Sequence, residues 1–246
     1  MHQLTSENGR RGFTLVEVVV VIILLGIIAA VAVGRLTTSL ETARVEQTKA
    51  EMEALARAIV GNPDVYSNGA RTDFGYVGDI GALPFTLDNL LTDPGYATWN
   101  GPYLTAGPGG DAYKRDAWNA DYVYVDTLLR SVGSGSNIDK VFTANTSSLL
   151  NNVVEGYMRD ANSNLPGPTY RDSVLIQLVY PNGAGGMAIA SVNPSSTGNF
   201  RFSNVPIGNQ TLRVIYLPDR DTVIYATSVP PGSTIKINVV FPADLW

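Results

Sequence analysis

From Val18 to Val33 the chain carries no charged residue, and a single carboxylate, Glu17, stands at the mouth of that run. Phe13 to Gly34 supplies about the 20 residues that a helix needs to cross a bilayer. Arg10 and Arg11 precede the run, so the positive-inside rule keeps that end cytoplasmic and sends the rest of the chain to the other side. A secretory signal is cut after its apolar stretch, at small residues. Here the small residue, Gly12, comes before it. An uncleaved signal anchor is the plain alternative. Glu17 speaks against that, because a carboxylate just inside a membrane span is expensive unless it finds a partner.

The helical pattern does not stop at the membrane. Leu36, Leu40, Ala43, Ala50, Ala54 and Ala58 recur at spacings of three, four and seven, and Leu55 and Ile59 widen the stripe. Glu53 and Arg57 stand four apart in the favourable order. Gly61-Asn62-Pro63 is a stop signal. One helix of about 48 residues, roughly 70 Å long, is expected from Phe13 to Val60. Its first half is lipid-like and its second half is amphipathic.

Composition excludes several functions. The net charge is -5 with a pI near 4.9, which argues against a nucleic-acid surface. With no cysteine there is no disulfide framework, thiolate metal site or cysteine nucleophile. The one histidine is His2, ahead of Gly12, so a chain cut there lacks the commonest general base and metal ligand. No spacing of carboxylates, or of Ser with Lys, suggests catalysis in their place. An enzyme is not expected.

Gly12-Phe13-Thr14-Leu15-Val16-Glu17, behind a basic leader and ahead of an apolar span, resembles the prepilin-type signal of type IV pilins and type II secretion pseudopilins. The resemblance implies that a prepilin peptidase cuts after Gly12 and methylates the new amine of Phe13. It also implies a homo-oligomeric helical filament built at an inner-membrane assembly platform. The subunit would start as a single-pass precursor in the cytoplasmic membrane and end in a periplasmic or extracellular filament. Physically, the ammonium of Phe13 and the Glu17 carboxylate of a neighbour would offset each other's desolvation. Gly26 and Gly34 each weaken the helix by about 1 kcal/mol relative to Ala. They either let the stem loosen, as in related pilins, or permit close helix packing.

The segment after the helix is rich in Gly, Pro, Tyr and Asp. Leu83 to Leu91 reads as a short helix with Thr86 as a possible N-cap. Gly101-Pro102-Tyr103-Leu104, followed by Asp116, Trp118, Tyr122 and Tyr124, resembles the body of the major pseudopilin of type II secretion. Tyr122 to Val125 alternates as a strand does. Trp118 and the tyrosines are read as core and turn packing. The resemblance raises calcium as a possible cofactor in the loop Ser131–Asp139. There the expected aspartate is Ser134, and Asp126 and Asp139 are the nearby acids, few for an ion wanting six to eight oxygens.

Asn145 to Asn152 is polar and reads as a linker. Beyond it, seven short β-rich runs alternate with turn signals, starting at Val153, Val174, Met187, Phe200, Gln210, Thr222 and Thr234. That pattern predicts a small antiparallel sandwich. Val154-Glu155-Gly156 through Asp160, and Gly198-Asn199-Phe200 through Val205-Pro206-Ile207-Gly208, resemble the transthyretin-like, carboxypeptidase-regulatory-like sandwich.

The expected architecture is α+β: a leader at 1–12, a stem helix at 13–60 (13–34 transmembrane), a pilin-like α/β body at 61–144, a linker at 145–152 and a sandwich module at 153–246. The expected function is a filament subunit displaying the sandwich. The alternatives are a type II secretion pseudopilin acting in export, or an adhesive or carbohydrate-binding module on a pilin anchor.

Overall fold

The computed structural model describes residues 12–105 and 109–242. Leader residues 1–11, including His2, Arg10 and Arg11, lie outside the described residues. The elements in chain order are helix α1 (Leu15–Val60), strands β1 (Tyr66–Ser67) and β2 (Ala70–Arg71), helix α2 (Gly75–Ile80), strands β3 (Val123–Val125), β4 (Leu128–Ser131) and β5 (Ile138–Val141), and helix α3 (Thr146–Leu150). They continue with strand β6 (Asn152–Arg159), helix α4 (Gly167–Tyr170), and strands β7 (Val174–Pro181), β8 (Met187–Val192), β9 (Asn199–Val205), β10 (Gly208–Tyr216), β11 (Asp221–Val229) and β12 (Thr234–Val240).

Two compact units result, divided within α1: residues up to Glu46, and Gln47 onward. In the first, no described residue is buried, and the helix runs unbroken through Gly26 and Gly34.

The second unit begins where α1 acquires a buried face of Thr48, Met52, Leu55, Ala56, Ala58 and Ile59. These pack with Phe74, Tyr76, Val77 and Ile80 around α2, and with Leu87, Leu90 and Leu129. Polar bonds fix the register. Thr48 Oγ1 accepts from the Ala117 N–H at 3.2 Å, the Tyr122 hydroxyl donates to Glu51 at 2.9 Å, and Lys140 pairs with Glu53. The helix stops at Gly61, whose φ of +78° is a left-handed value that an L side chain resists, and whose N–H donates to the Arg57 carbonyl at 2.7 Å. Arg71 donates to the terminal Val60 carbonyl at 2.5 Å, satisfying one of the acceptors a helix end leaves open.

The expected short helix near Leu83–Leu91 is a 3-10 turn at Leu87–Leu90, and the Thr86 N–H donates to the Asn89 side chain at 3.1 Å. Strands β3, β4 and β5 form an antiparallel sheet. Leu129 on its inner face is fully buried.

All seven expected C-terminal strands are present, in two sheets ordered β11-β10-β7-β8 and β12-β6-β9. Val154, Met158, Ile176, Leu178, Leu212 and Val214 are among the fully buried side chains between them. One feature departs from an all-antiparallel sandwich: β12 runs parallel to β6, Thr234 opposite Val153 through Val240 opposite Arg159. The first and last strands of the sandwich thus lie side by side, a pairing that alternation of residues cannot reveal because it is the same for either direction.

The polar stretch 145–152 is ordered. Asn145 accepts from the Ser148 N–H at 2.9 Å and caps α3, and Leu149 is fully buried in the same core as Met52 and Ile59. Buried Asn152 ties three segments together: its amide donates to the Val205 carbonyl at 3.1 Å and accepts from the Ser233 N–H at 2.9 Å. Ile207, in the turn between β9 and β10, also belongs to the core built around α1 and α2. The Gly183 N–H donates to the Ile80 carbonyl, and Ser228 donates to the Arg71 carbonyl at 2.7 Å. A Cβ at Gly81 would meet the Pro181 carbonyl, so the two backbones touch there only because Gly81 has no side chain.

Candidate functional site

The residues singled out by the sequence sit at the start of α1. Thr14 precedes the first helical residue, and Glu17 occupies the third position of the helix. The Glu17 N–H donates to Thr14 Oγ1 at 3.3 Å, and the Glu17 carboxylate accepts from the Thr14 N–H at 3.3 Å. This is a capping box, which satisfies two amide donors that a helix start leaves open. The carboxylate also sits at the positive end of the helix dipole, an arrangement worth about 0.3–1 kcal/mol at an exposed site. The pattern Thr-x-x-Glu was available in the sequence as the signal for Thr14's role. Within its own chain, then, Glu17 has a partner, though the bonds are long.

Phe13 is 81% exposed, and Gly12 has nothing within 4 Å of where a Cβ would stand. Gly12, Phe13, Thr14 and Glu17 line one open groove. The helix that follows is long and apolar enough to cross a membrane, and its most apolar 18 residues are 0% buried.

The pseudopilin-like residues of the body serve packing and turns. Tyr122 is buried, and the Tyr103 ring stands 5.6 Å from that of Tyr76, edge-on. The Tyr103 hydroxyl donates to Asp79 at 2.8 Å, and burial raises the Asp79 carboxyl above its ordinary range. Asp116 had been noticed only as part of a motif. Its carboxylate accepts from the N–H groups of Trp118, Ala120 and Gly133 and from the Ser131 hydroxyl at 2.5 Å. Burial alone would raise its pKa, but these four donors outweigh it and hold the carboxyl below its usual value. A Cβ on Gly133 would press on this carboxylate, so a glycine is needed there.

The carboxylates that might have served calcium are otherwise disposed. Asp139 takes both arms of Arg130, at 2.6 and 2.7 Å, and Ser134 bonds the Ser136 carbonyl. Asp126 stands in the turn between β3 and β4 with φ at +51°. Among the described residues, no group of three or more His, Cys, Asp or Glu side chains could hold a metal ion.

On the module, a shallow groove of about 550 Å³ crosses the outer face of the β12-β6-β9 sheet. Its floor carries Tyr157 between Asn199 and Asn238, and Glu155 between Arg201 and Lys236.

Residues 8–33 match the family model described as the prokaryotic N-terminal methylation motif. Taken with the relative that follows, the match makes the chain a type IV pilin or pseudopilin type of protein, with a prepilin-type N-terminal signal. That relative is the type II secretion system core protein G of Xanthomonas campestris pv. campestris, 28% identical over 99 residues. The alignment takes in 40% of this chain and spans 59% of the relative's length, less than two thirds of it.

Solved structures overlap only in part. The dioxygenase domain of a dioxygenase carbohydrate-binding protein fusion from Streptomyces sp. SirexAA-E gives a TM-score of 0.29 at 14% identity, over 39% of this chain and 81% of that one. A Streptococcal ancillary pilin gives 0.27 at 13%, over 48% and 43%. Overlaps of this size say nothing about function.

Proposed function

We propose that the chain is a membrane-anchored filament subunit, cut between Gly12 and Phe13 and assembled through α1, with the sandwich of residues 153–246 carried on the pilin-like body. One observation carries the reading most of the way: a helix start with a capped carboxylate opens onto an apolar stretch whose most apolar 18 residues are 0% buried. Such a surface has no place in water. Lipid covers it before assembly, and the same stretch of other copies covers it afterwards.

Hydrolysis of the Gly12–Phe13 peptide bond by a prepilin peptidase leaves an ammonium at Phe13, which the same enzyme methylates. Two partners then compete for the Glu17 carboxylate: the N–H of its own Thr14 and the ammonium of a neighbouring copy. The intrachain bonds are neutral-donor bonds of 3.3 Å. A charged donor makes a shorter bond, roughly twice as strong. Assembly therefore favours the exchange, and the capping box keeps the carboxylate satisfied until it happens.

The subunit begins in the cytoplasmic membrane and its body lies on the outer side, where an inner-membrane platform stacks the copies. The relation to type II secretion core protein G favours a filament that serves protein export. A surface pilus with the sandwich as an adhesive face is the second reading, and the groove beside Tyr157 is where such a face would lie.

Intact-mass analysis of the mature protein from producing cells tests the processing step. The expected chain starts at N-methylated Phe13. A mature N-terminus after residue 30, or an uncut Met1, overturns it.

A further inference from the structure

Phe85 is 93% exposed, the most exposed apolar side chain among the described residues. Lone apolar residues on a surface are ordinary, but this one is held out. Leu87 and Leu90 anchor the chain after it in the core, and the Thr86–Asn89 bond fixes the turn. A groove of about 440 Å³ with Tyr122 and Tyr124 in its wall lies alongside, and the ring does not fold into it.

Elsewhere in the same unit a pocket of about 170 Å³ opens between the end of α1, β5, α3 and the turn before β12. Val60, Pro63, Val141, Phe142, Leu149 and Pro231 supply its apolar wall. Ligand pockets run to roughly 300–1,000 Å³, whereas an apolar cavity of roughly 150 Å³ holds a benzene ring. The pocket therefore has the size of one aromatic side chain. The charges around the two features are opposite in balance. Asp88, Asp111 and Asp121 outnumber Lys114 and Arg115 near Phe85, while Arg57, Arg71 and Lys140 outnumber Glu53 at the pocket.

We infer that Phe85 of one copy inserts into the Val141–Phe142–Pro231 pocket of the next. Knob and socket are different patches of the same surface, so the contact is head-to-tail and leaves a free knob and a free socket at each end. Contacts of that kind form open assemblies instead of closed dimers. The inference rests on the filament-subunit reading and adds to it a contact outside the stem.

The test places the photoreactive aromatic p-benzoylphenylalanine at position 85 of the full chain, in producing cells. Filaments are sheared, pelleted and irradiated, and the adduct is mapped by mass spectrometry. The expected result is a covalent dimer whose adduct falls within residues 138–142 or 230–232 of a second, isotope-labelled copy. Pelleted protein that gives no dimer, or adducts elsewhere, overturns the contact and leaves the filament reading standing. Wild-type protein that never pellets overturns both. Should the label alone prevent pelleting, mixed Phe85→Cys and Val141→Cys copies replace it, since the chain has no native cysteine. A disulfide-linked heterodimer in several-fold excess over a Phe85→Cys and Tyr66→Cys mixture supports the contact, and parity with that control overturns it.

Discussion

From Leu15 to Gln47, α1 buries no residue, whereas from Thr48 to Val60 it buries six side chains. The backbone is one continuous helix, so the difference lies wholly in what the side chains require. The early stretch is apolar all round, and a helix of that kind has to be covered from outside its own chain. The later stretch is apolar on one stripe, which the body of the same chain covers. A single element thus carries two instructions, one for association and one for folding.

Substitutions that shave the same kind of side chain from each half break the comparison open. Ile59→Ala removes a fully buried side chain and should destabilise the body by about 2–5 kcal/mol. The near-ultraviolet circular dichroism melt of the detergent-solubilised full chain would show it. The fold of the body also depends on Asp116. Its depressed pKa means that the ionised form stabilises the folded state, fully so above the unfolded carboxyl value and progressively less as pH falls through the folded one. Asp116→Asn should therefore cost about 1–3 kcal/mol at pH 7, the penalty of leaving N–H donors poorly matched. The gap from wild type should close as pH drops below about 3.9. Melts recorded across that range check the sign. Leu24→Ala stands at the other extreme. It should shift the same melt by no more than about 0.5 kcal/mol, because Leu24 touches nothing the body needs, while the yield of pelletable filament falls.

Much of this was legible in the residues. The boundary of α1 at Gly61 followed from a left-handed cap and a proline, which act locally. The seven strands of the module followed from alternation and turn residues. What escaped was long-range. Alternation is blind to strand direction, so the parallel partnership of β6 and β12 was hidden. The polar composition of Asn145–Asn152 suggested a linker, yet its two asparagines cap a helix and bridge strands, with Leu149 between them in the core. Asp116 was noticed for its motif and not for the four donors it gathers, since two of them arrive from Ser131 and Gly133, far along the chain. At the N-terminus the cap was readable in full from Thr14 and Glu17, because a capping box is a matter of three residues' spacing.

A cryo-EM reconstruction of sheared native filaments tests most directly whether α1 divides its two halves between association and folding. The account predicts residues 13–46 bundled along the filament axis, with each Glu17 carboxylate within hydrogen-bond reach of the Phe13 amine of a neighbouring copy and Thr48–Val60 covered by the copy's own body. Filaments held together through their bodies, with the apolar stems apart from one another and every Glu17 still on its own Thr14, would contradict it.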